Sequence, residues 1–371
     1  MSLRAVQTDF PAGIRASGCI TNYGDATASH AALCRGEVGL KLAPVLGVQG
    51  GDLVPMGLLG PMTESLPPRW LGALDSLAAQ IPDGPWGGAR TPVFITSSNY
   101  GVGNMLEFAK SRDPQHLPWA TAHAVLERFR ERYGWGANCH LLSHACVSAH
   151  LGLVQASRWL ERGMADRALV FSFDFLSAFV TGGFSALKIL NGGYPAPYRD
   201  QPVGSIGLGD GAAFAVLDSA PAEFRILAQH CGNEMYHFTA NEPGGSGFTR
   251  LAEPFQQLLS GRRIWIKGHG TGTLEAGRIE SSILKRMFPS APLTSWKGGL
   301  GHTLGSCGLV ELVIAMESVR QGRAPGTVGS APPFFVDTVQ ETAFPINQCE
   351  GAVLCSNAFG GAHAALFLSH A

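Results

Sequence analysis

Three short segments, far apart in the chain, carry residue types that could do chemistry together. Cys146 lies in Ser143-His144-Ala145-Cys146, His269 opens His269-Gly270-Thr271-Gly272-Thr273, and His302 lies in Gly301-His302-Thr303-Leu304-Gly305. Each sits between an apolar strand-like run or a glycine-rich turn and a helix-like segment. The set is one soft nucleophile and two imidazoles, which suits carbon–carbon bond formation on thioesters. A thiolate can hold an acyl group, and two neutral imidazoles can donate hydrogen bonds to a thioester carbonyl as it becomes an enolate.

The local contexts argue for these roles. Cys146 is placed at a strand-to-helix turn, where unpaired N–H groups and the helix dipole favour thiolate over thiol. A buried, inert thiol is the commoner fate of a cysteine, and it is the two histidine motifs that decide against it. His144 is adjacent, but a side chain next in sequence usually points elsewhere. His269 ends the apolar run Arg263–Lys267, and Gly270 and Gly272 permit a sharp turn. His302, between Gly301 and Gly305, also opens a helix. Lys297 precedes His302 by five residues and Glu280 follows His269 by eleven. An ion pair between Lys297 and Glu280 is expected to set the field and tautomers of the histidines, the plainer alternative being a surface salt bridge. Phe359-Gly360-Gly361 follows a strand-like run; a backbone N–H there, beside that of Cys146, could complete an oxyanion hole, or Phe359 could simply pack in the core. No His/Cys pair has zinc-ligand spacing, so no metal is expected.

The elements that must position these residues follow from patterning. The chain has 371 residues, 45% apolar and 15% charged, with a formal charge of −1. That length suits two fused α/β halves, and the low charge implies extensive burial, some of it between subunits. Nothing suggests nucleic acid or an anionic membrane as partner. No apolar run reaches the ~18 residues of a membrane span, and Met1–Ala5 contains no apolar signal core. The eight cysteines include no Cys-x-x-Cys pair, which fits a reducing cytoplasm better than a disulfide framework. Strands are expected at Gly18–Asn22, Pro92–Ser98, Ala168–Phe175 and Ala212–Leu217, then at Phe224–Ala228, Arg263–Lys267, Ala352–Cys355 and Ala364–Leu368. Helices are expected over Ala31–Leu40, from Cys146 with Ala149, Gly152, Leu153, Ala156, Trp159 and Leu160 inward, and from Gly308 with Leu309, Leu312, Val313, Met316 and Val319 inward. The strand–turn–helix at Cys146 and that at His302 hold matching places in two similar halves. The expected division is 1–220, carrying the cysteine, and 221–371, carrying both histidines.

With these residues in place the chain resembles the β-ketoacyl synthases, type I/II-like ketosynthases of the thiolase superfamily. Cys146 stands where that family has T-A-C-x-S, His269 begins its H-G-T-G-T turn, Lys297 and His302 fit K-x-x-x-x-G-H-x-x-G-x-x-G with Gly305 and Gly308 in register, and Phe359 fits G-F-G-G. Gly183–Leu187 and Gly207–Ala212 match more weakly. The resemblance implies the thiolase fold, duplicated α/β halves in α-β-α-β-α layers. It also implies Cys146, His269, His302 and Lys297 as catalytic residues, Phe359 as a gate, with Glu280, Gly360 and Gly361 in support, and no cofactor. Implied partners are acyl-carrier protein and malonyl-acyl-carrier protein, with a homodimer or a heterodimer with a related subunit. The implied reaction is decarboxylative Claisen condensation in fatty-acid, polyene or polyketide synthesis. There are departures: His144 replaces the usual Thr, Leu274 and Gly277 the Pro and Asp after the turn, Ala358 the first Gly of the gate, and His363 its final Asn. One rival is a thiolase, with Cys355 near the place of a second cysteine. Another is a non-catalytic subunit that sets chain length, although such subunits lose the cysteine that this chain keeps.

Overall fold

A computed structural model describes residues 6–45, 53–61, 66–190, 193–237 and 239–370. The reading of Met1–Ala5 falls outside them. Ten strands form one continuous path: β1 (Ala12–Thr21), β2 (Val93–Thr96), β3 (Cys139–Leu142), β4 (Arg167–Asp174), β5 (Gly211–Asp218), β6 (Phe224–Asn233), β7 (Ile264–Lys267), β8 (Leu293–Thr294), β9 (Gly351–Ala358) and β10 (Ala362–His370). Their spatial order is β8-β7-β9-β10-β6-β1-β5-β4-β2-β3, with the short strand Val6–Thr8 also on β6. Read outward from the central β6–β1 pair, the two arms have one connectivity. In each, the first strand of the arm in sequence pairs with the last, then come the fourth, second and third. The chain is therefore a duplicated α/β unit.

Two helices account for the layering. α1 (Ser148–Glu161) packs on β2, β4 and β5 of one arm and on β6 and β10 of the other, and α2 (Cys307–Arg320) packs on β1, β5 and β9 and against α1. The pair is a central layer between the two arms of the sheet. Every residue of α2 from Cys307 to Ser318 is buried, as expected for a helix that is apolar on nearly all sides. α1 keeps the inward face read from the sequence: Ala149, Gly152, Leu153, Ala156 and Leu160 are buried. A Cβ on Gly152 would lie 2.6 Å from Thr96 Cγ2 and 3.0 Å from Val170 Cγ1, so glycine sets how closely α1 approaches the sheet. Helices Leu71–Ala78 and Ala122–Tyr133 cover the outside of the first arm, and Ser246–Leu258 the outside of the second. The result is an α-β-α-β-α sandwich.

The expected core strands are present, most of them a residue or more longer; β2 and β7 are shorter. One helix differs. It spans Ala26–Cys34 rather than Ala31–Leu40, because the Asp25 side chain caps it by accepting from the Ala28 N–H at 2.9 Å, a start signal of the usual kind. The edge strand β3 was not anticipated: at four half-buried residues it is too short to show periodicity.

Candidate active site

Cys146, His269 and His302 come together at one cavity of about 250 Å³, lined also by Phe184, Leu187, Ile189, Ile206, Asn357 and Phe359. Cys146 lies in the turn between β3 and α1, two residues before the helix begins. Ala145 has φ +47°, a left-handed conformation that turns the chain sharply ahead of the thiol. His144 points outward and is exposed, which agrees with setting it aside.

His302 Nε2 lies 3.0 Å from Cys146 Sγ. Its backbone is held on both sides: the His302 N–H donates to Gly207 O at 2.7 Å, and the His302 carbonyl accepts from the Gly209 N–H at 3.0 Å. Gly301, at φ +77°, allows this approach, since a Cβ there would sit 2.4 Å from Leu208 O. The His269 ring stands edge-on to that of His302, with centroids 5.0 Å apart. Phe359 is 37% exposed at the cavity and tilts against Phe184 at 5.9 Å. Phe359 is therefore not packed in the core. Gly360 and Gly361 follow at φ +84° and +73°, making the turn into β10.

Glu280 and Lys297 are both buried, but they do not pair with one another. Glu280 Oε1 accepts from the His269 N–H at 2.6 Å and Oε2 from the Gly270 N–H at 2.9 Å, with Tyr198 Oη donating to Oε2 at 2.9 Å. Glu280 is the brace of the histidine turn. Lys297 pairs instead with Glu311 on α2, Nζ to Oε1 at 2.6 Å, and Lys267 at the end of β7 contacts the other oxygen of the same carboxylate. The expected Lys297–Glu280 pair is thus replaced by a buried Lys267–Glu311–Lys297 triad. Glu311 and Lys267 were overlooked. The available signal was a lone acid within the apolar run Gly308–Met316 and a lone lysine closing Ile264–Lys267: a charge that must be buried needs a partner. Asp174 is a third omission. Its carboxylate accepts from Ser97 Oγ, from the Ser98 and Asn99 backbone N–H groups and from the Gly305 N–H. It thereby ties β4 to the loop beyond His302.

The electrostatics revise one expectation. Burial pushes the Cys146 thiol well up, Cys307 adds to this, and Lys297 pulls the other way. The helix terminus does not yield a free thiolate at rest. Burial also pulls both histidines well below their ordinary value, helped by Lys297, so both rings are neutral near pH 7. For Lys297 burial opposes the charge, but Glu311 overrides it and pushes the group up. The site therefore holds a neutral thiol–imidazole contact over a fixed positive charge. The one basic atom on the Cys146 thiol is His302 Nε2, at 3.0 Å. Among the described residues no cluster of three or more His, Cys, Asp or Glu side chains is placed to hold a metal.

The sandwich is a thiolase-type fold. A solved β-ketoacyl synthase from Burkholderia phymatum STM815 matches it with TM-score 0.82 at 19% identity, over 97% of this chain and 99% of that one. A chain from the complex of a ketosynthase with its chain length factor from Xenorhabdus doucetiae matches with TM-score 0.78 at 20% identity, over 97% and 98%. Residues 234–330 match the family of the β-ketoacyl synthase C-terminal domain. The 3-oxoacyl-[acyl-carrier-protein] synthase 2 of Coxiella burnetii is 24% identical over 260 residues, 60% of this chain and 63% of that protein. Across such curated relatives the matched stretch spans between about half and two thirds of their length. The chain thus shares the fold of solved β-ketoacyl synthases, and residues 234–330 carry the C-terminal domain of that family.

Proposed function

We propose that this chain catalyses decarboxylative Claisen condensation, extending an acyl group by malonyl-acyl-carrier protein in fatty-acid, polyene or polyketide synthesis. In the first stage Cys146 Sγ attacks the acyl thioester carbonyl. Its proton passes to His302 Nε2 and then to the departing carrier thiol. In the second stage the malonyl C–C bond breaks and CO2 leaves. The electron pair becomes an enolate, whose oxygen accepts hydrogen bonds from His269 and from His302, the latter as the tautomer with its proton on Nε2. The carbanion then attacks the acyl-cysteine carbonyl, and Cys146 leaves as the thiolate, taking up a proton from water to restore the thiol. Lys297 acts through its charge, and the Cys146 and Phe359 backbone N–H groups serve the acyl oxyanion.

The observation that carries this reading is the 3.0 Å Cys146–His302 contact with His269 beside it in one cavity. The thiolase alternative needs a second reactive cysteine. Cys355 is buried in a different apolar cluster from Cys146 and does not line the cavity, which argues against it. The non-catalytic reading has Cys146 itself against it. Acyl-carrier protein and a second related or identical subunit are the proposed partners. A cytoplasmic setting is supported by eight cysteines that are all unpaired.

The deciding experiment supplies acyl-carrier protein together with malonyl-carrier labelled at its free carboxylate. Condensation releases labelled CO2 in step with β-ketoacyl product. Cleavage of a β-ketoacyl-CoA by free CoA with no CO2 would make the chain a thiolase. Neither product would leave the non-catalytic reading.

A further inference from the structure

A second, smaller sheet reaches His302 through its backbone. Leu53–Gly57 pairs in parallel with Leu208–Gly209, with Met56 opposite Leu208 and Gly57 opposite Gly209. Leu208 forms a further parallel bridge to His302. The hydrogen bonds of that bridge are the two that hold the histidine, His302 N–H to Gly207 O and Gly209 N–H to His302 O. His302 is thus an added rung on the Gly207–Gly209 edge, and its ring goes where that edge goes. The packing is tight: a Cβ on Gly209 would lie 2.3 Å from Leu300 O, and one on Gly57 2.5 Å from the same atom. Backbone packed this closely transmits a displacement instead of absorbing it.

One buried carboxylate fixes the edge. Asp210 lies between Gly209 and β5, and its oxygens accept four hydrogen bonds. Arg69 supplies two as a fork, Nη1 to Oδ2 and Nη2 to Oδ1, each at 2.8 Å. The Leu59 N–H donates to Oδ2 at 2.8 Å and the Leu176 N–H to Oδ1 at 2.7 Å. The same two Arg69 nitrogens also donate to Leu59 O at 3.3 Å and Leu176 O at 2.8 Å. The Asp210 N–H donates to Gly57 O at 2.8 Å. The Arg69 and Asp210 side chains are 9% and 0% exposed, and neither lines the cavity. A bidentate guanidinium–carboxylate pair is directional as well as strong. Here it ties the chain beyond Gly57, the chain beyond β4 and the Gly207–Gly209 edge to one point.

We propose that Asp210, held by Arg69, is a positioning residue for His302: the pair fixes the Gly207–Gly209 edge and, through it, the contact of His302 Nε2 with Cys146 Sγ. The proposal rests on the condensation reading, in which His302 serves both stages. It gives a role to the Gly207–Ala212 segment, whose only chemical side chain is Asp210. Loosening the fork lets the edge shift, His302 leaves the thiol, and reaction at Cys146 slows. His269 is held separately, by Glu280 on its own turn, so its contribution stays.

A double-variant cycle tests this in the intact protein. Arg69→Lys keeps a cation but loses the planar fork. Asp210→Asn keeps the shape but puts an NH2 where an acceptor is needed. The rate of Cys146 alkylation by iodoacetamide at pH 8, read by peptide mapping, should fall about 10-fold or more in each, as misplacement of a catalytic group does. The buried Cys19 and Cys355 should remain unlabelled. On a His302→Ala background the same substitutions should change the rate by less than about 2-fold, because the group they aim is gone. Two variants keep the test intact should one fail to fold. An unchanged rate, additive losses on the His302→Ala background, or labelling of Cys19 and Cys355 in both variants overturns the proposal. Acyl loading gives a second reading: Arg69→Lys should lower it by the same factor with and without His269→Ala, and loss of that factor in His269→Ala overturns the separate holding of the two histidines. A parent protein that takes no acyl group counts against the condensation reading instead. The alkylation cycle needs no acyl donor and still decides what Asp210 does.

Discussion

Cys146 and His302 form a neutral pair in a buried site, and this has a direct consequence for pH. With the thiol pushed up by burial, its thiolate fraction grows with pH through and beyond the neutral range rather than saturating below it. Alkylation of Cys146 by limiting iodoacetamide should therefore climb steadily from about pH 7 to 9, and prior acylation should block it. A plateau with its midpoint below pH 7 would mean a preformed thiolate. Peptide mapping must separate this signal from the half-buried Cys34, Cys139 and Cys349. His269 makes a different contribution. It is 5.0 Å from the His302 ring rather than on the thiol, so His269→Ala should leave loading of Cys146 within a few-fold of the parent. Malonyl decarboxylation should fall by about 100–1,000-fold, the usual effect of removing a donor to a developing oxyanion. Equal loss in both stages, measured by adduct mass and CO2 release, would contradict that division.

At the scale of elements, α2 is the member most exposed to damage. Its Glu311 sets one carboxylate between two buried lysines. Glu311→Gln leaves Lys267 and Lys297 without a counter-charge and should cost about 3–5 kcal/mol, read as a drop in the urea midpoint. A change within ~1 kcal/mol would show that water reaches the lysines. Gly308→Ala tests the helix contact itself, since a Cβ there would lie 2.5 Å from the His150 ring. Overpacking of this kind costs about 1–3 kcal/mol. These two helices also show what sequence could carry. The inward face of α1 was readable because its other face is partly exposed, leaving a 3.6-residue period. The strands of the sheet were readable as apolar runs because they are buried on both faces. The partner of Lys297 was not readable, because Glu280 and Glu311 are equally plausible until the fold brings one of them near. The brace of His269 by Glu280 belongs to the same class: spacing put the two residues close, but only the path of the turn decided which atoms met.

At one edge of the sheet lies β3, a half-buried strand that pairs with β2 alone among the described strands. Such an edge needs a cover, and the Cys146 turn begins two residues beyond it. A second subunit pairing along β3 would protect the edge and steady the nucleophile. Light scattering at micromolar concentration should give twice the mass of one 39.1 kDa chain. Leu141→Asp should shift it toward one chain while loading of Cys146 weakens; a monomeric parent with full activity would remove the subunit from the account.

The central claim is that Cys146 carries the acyl group. Intact-mass spectrometry after incubation with a panel of acyl-carrier proteins tests it most directly. The account predicts one acyl adduct per chain on the parent, mapped to Cys146, discharged on adding malonyl-carrier protein, and absent from a folded Cys146→Ala variant. No adduct with any acyl chain, or an adduct that persists in Cys146→Ala, would contradict it.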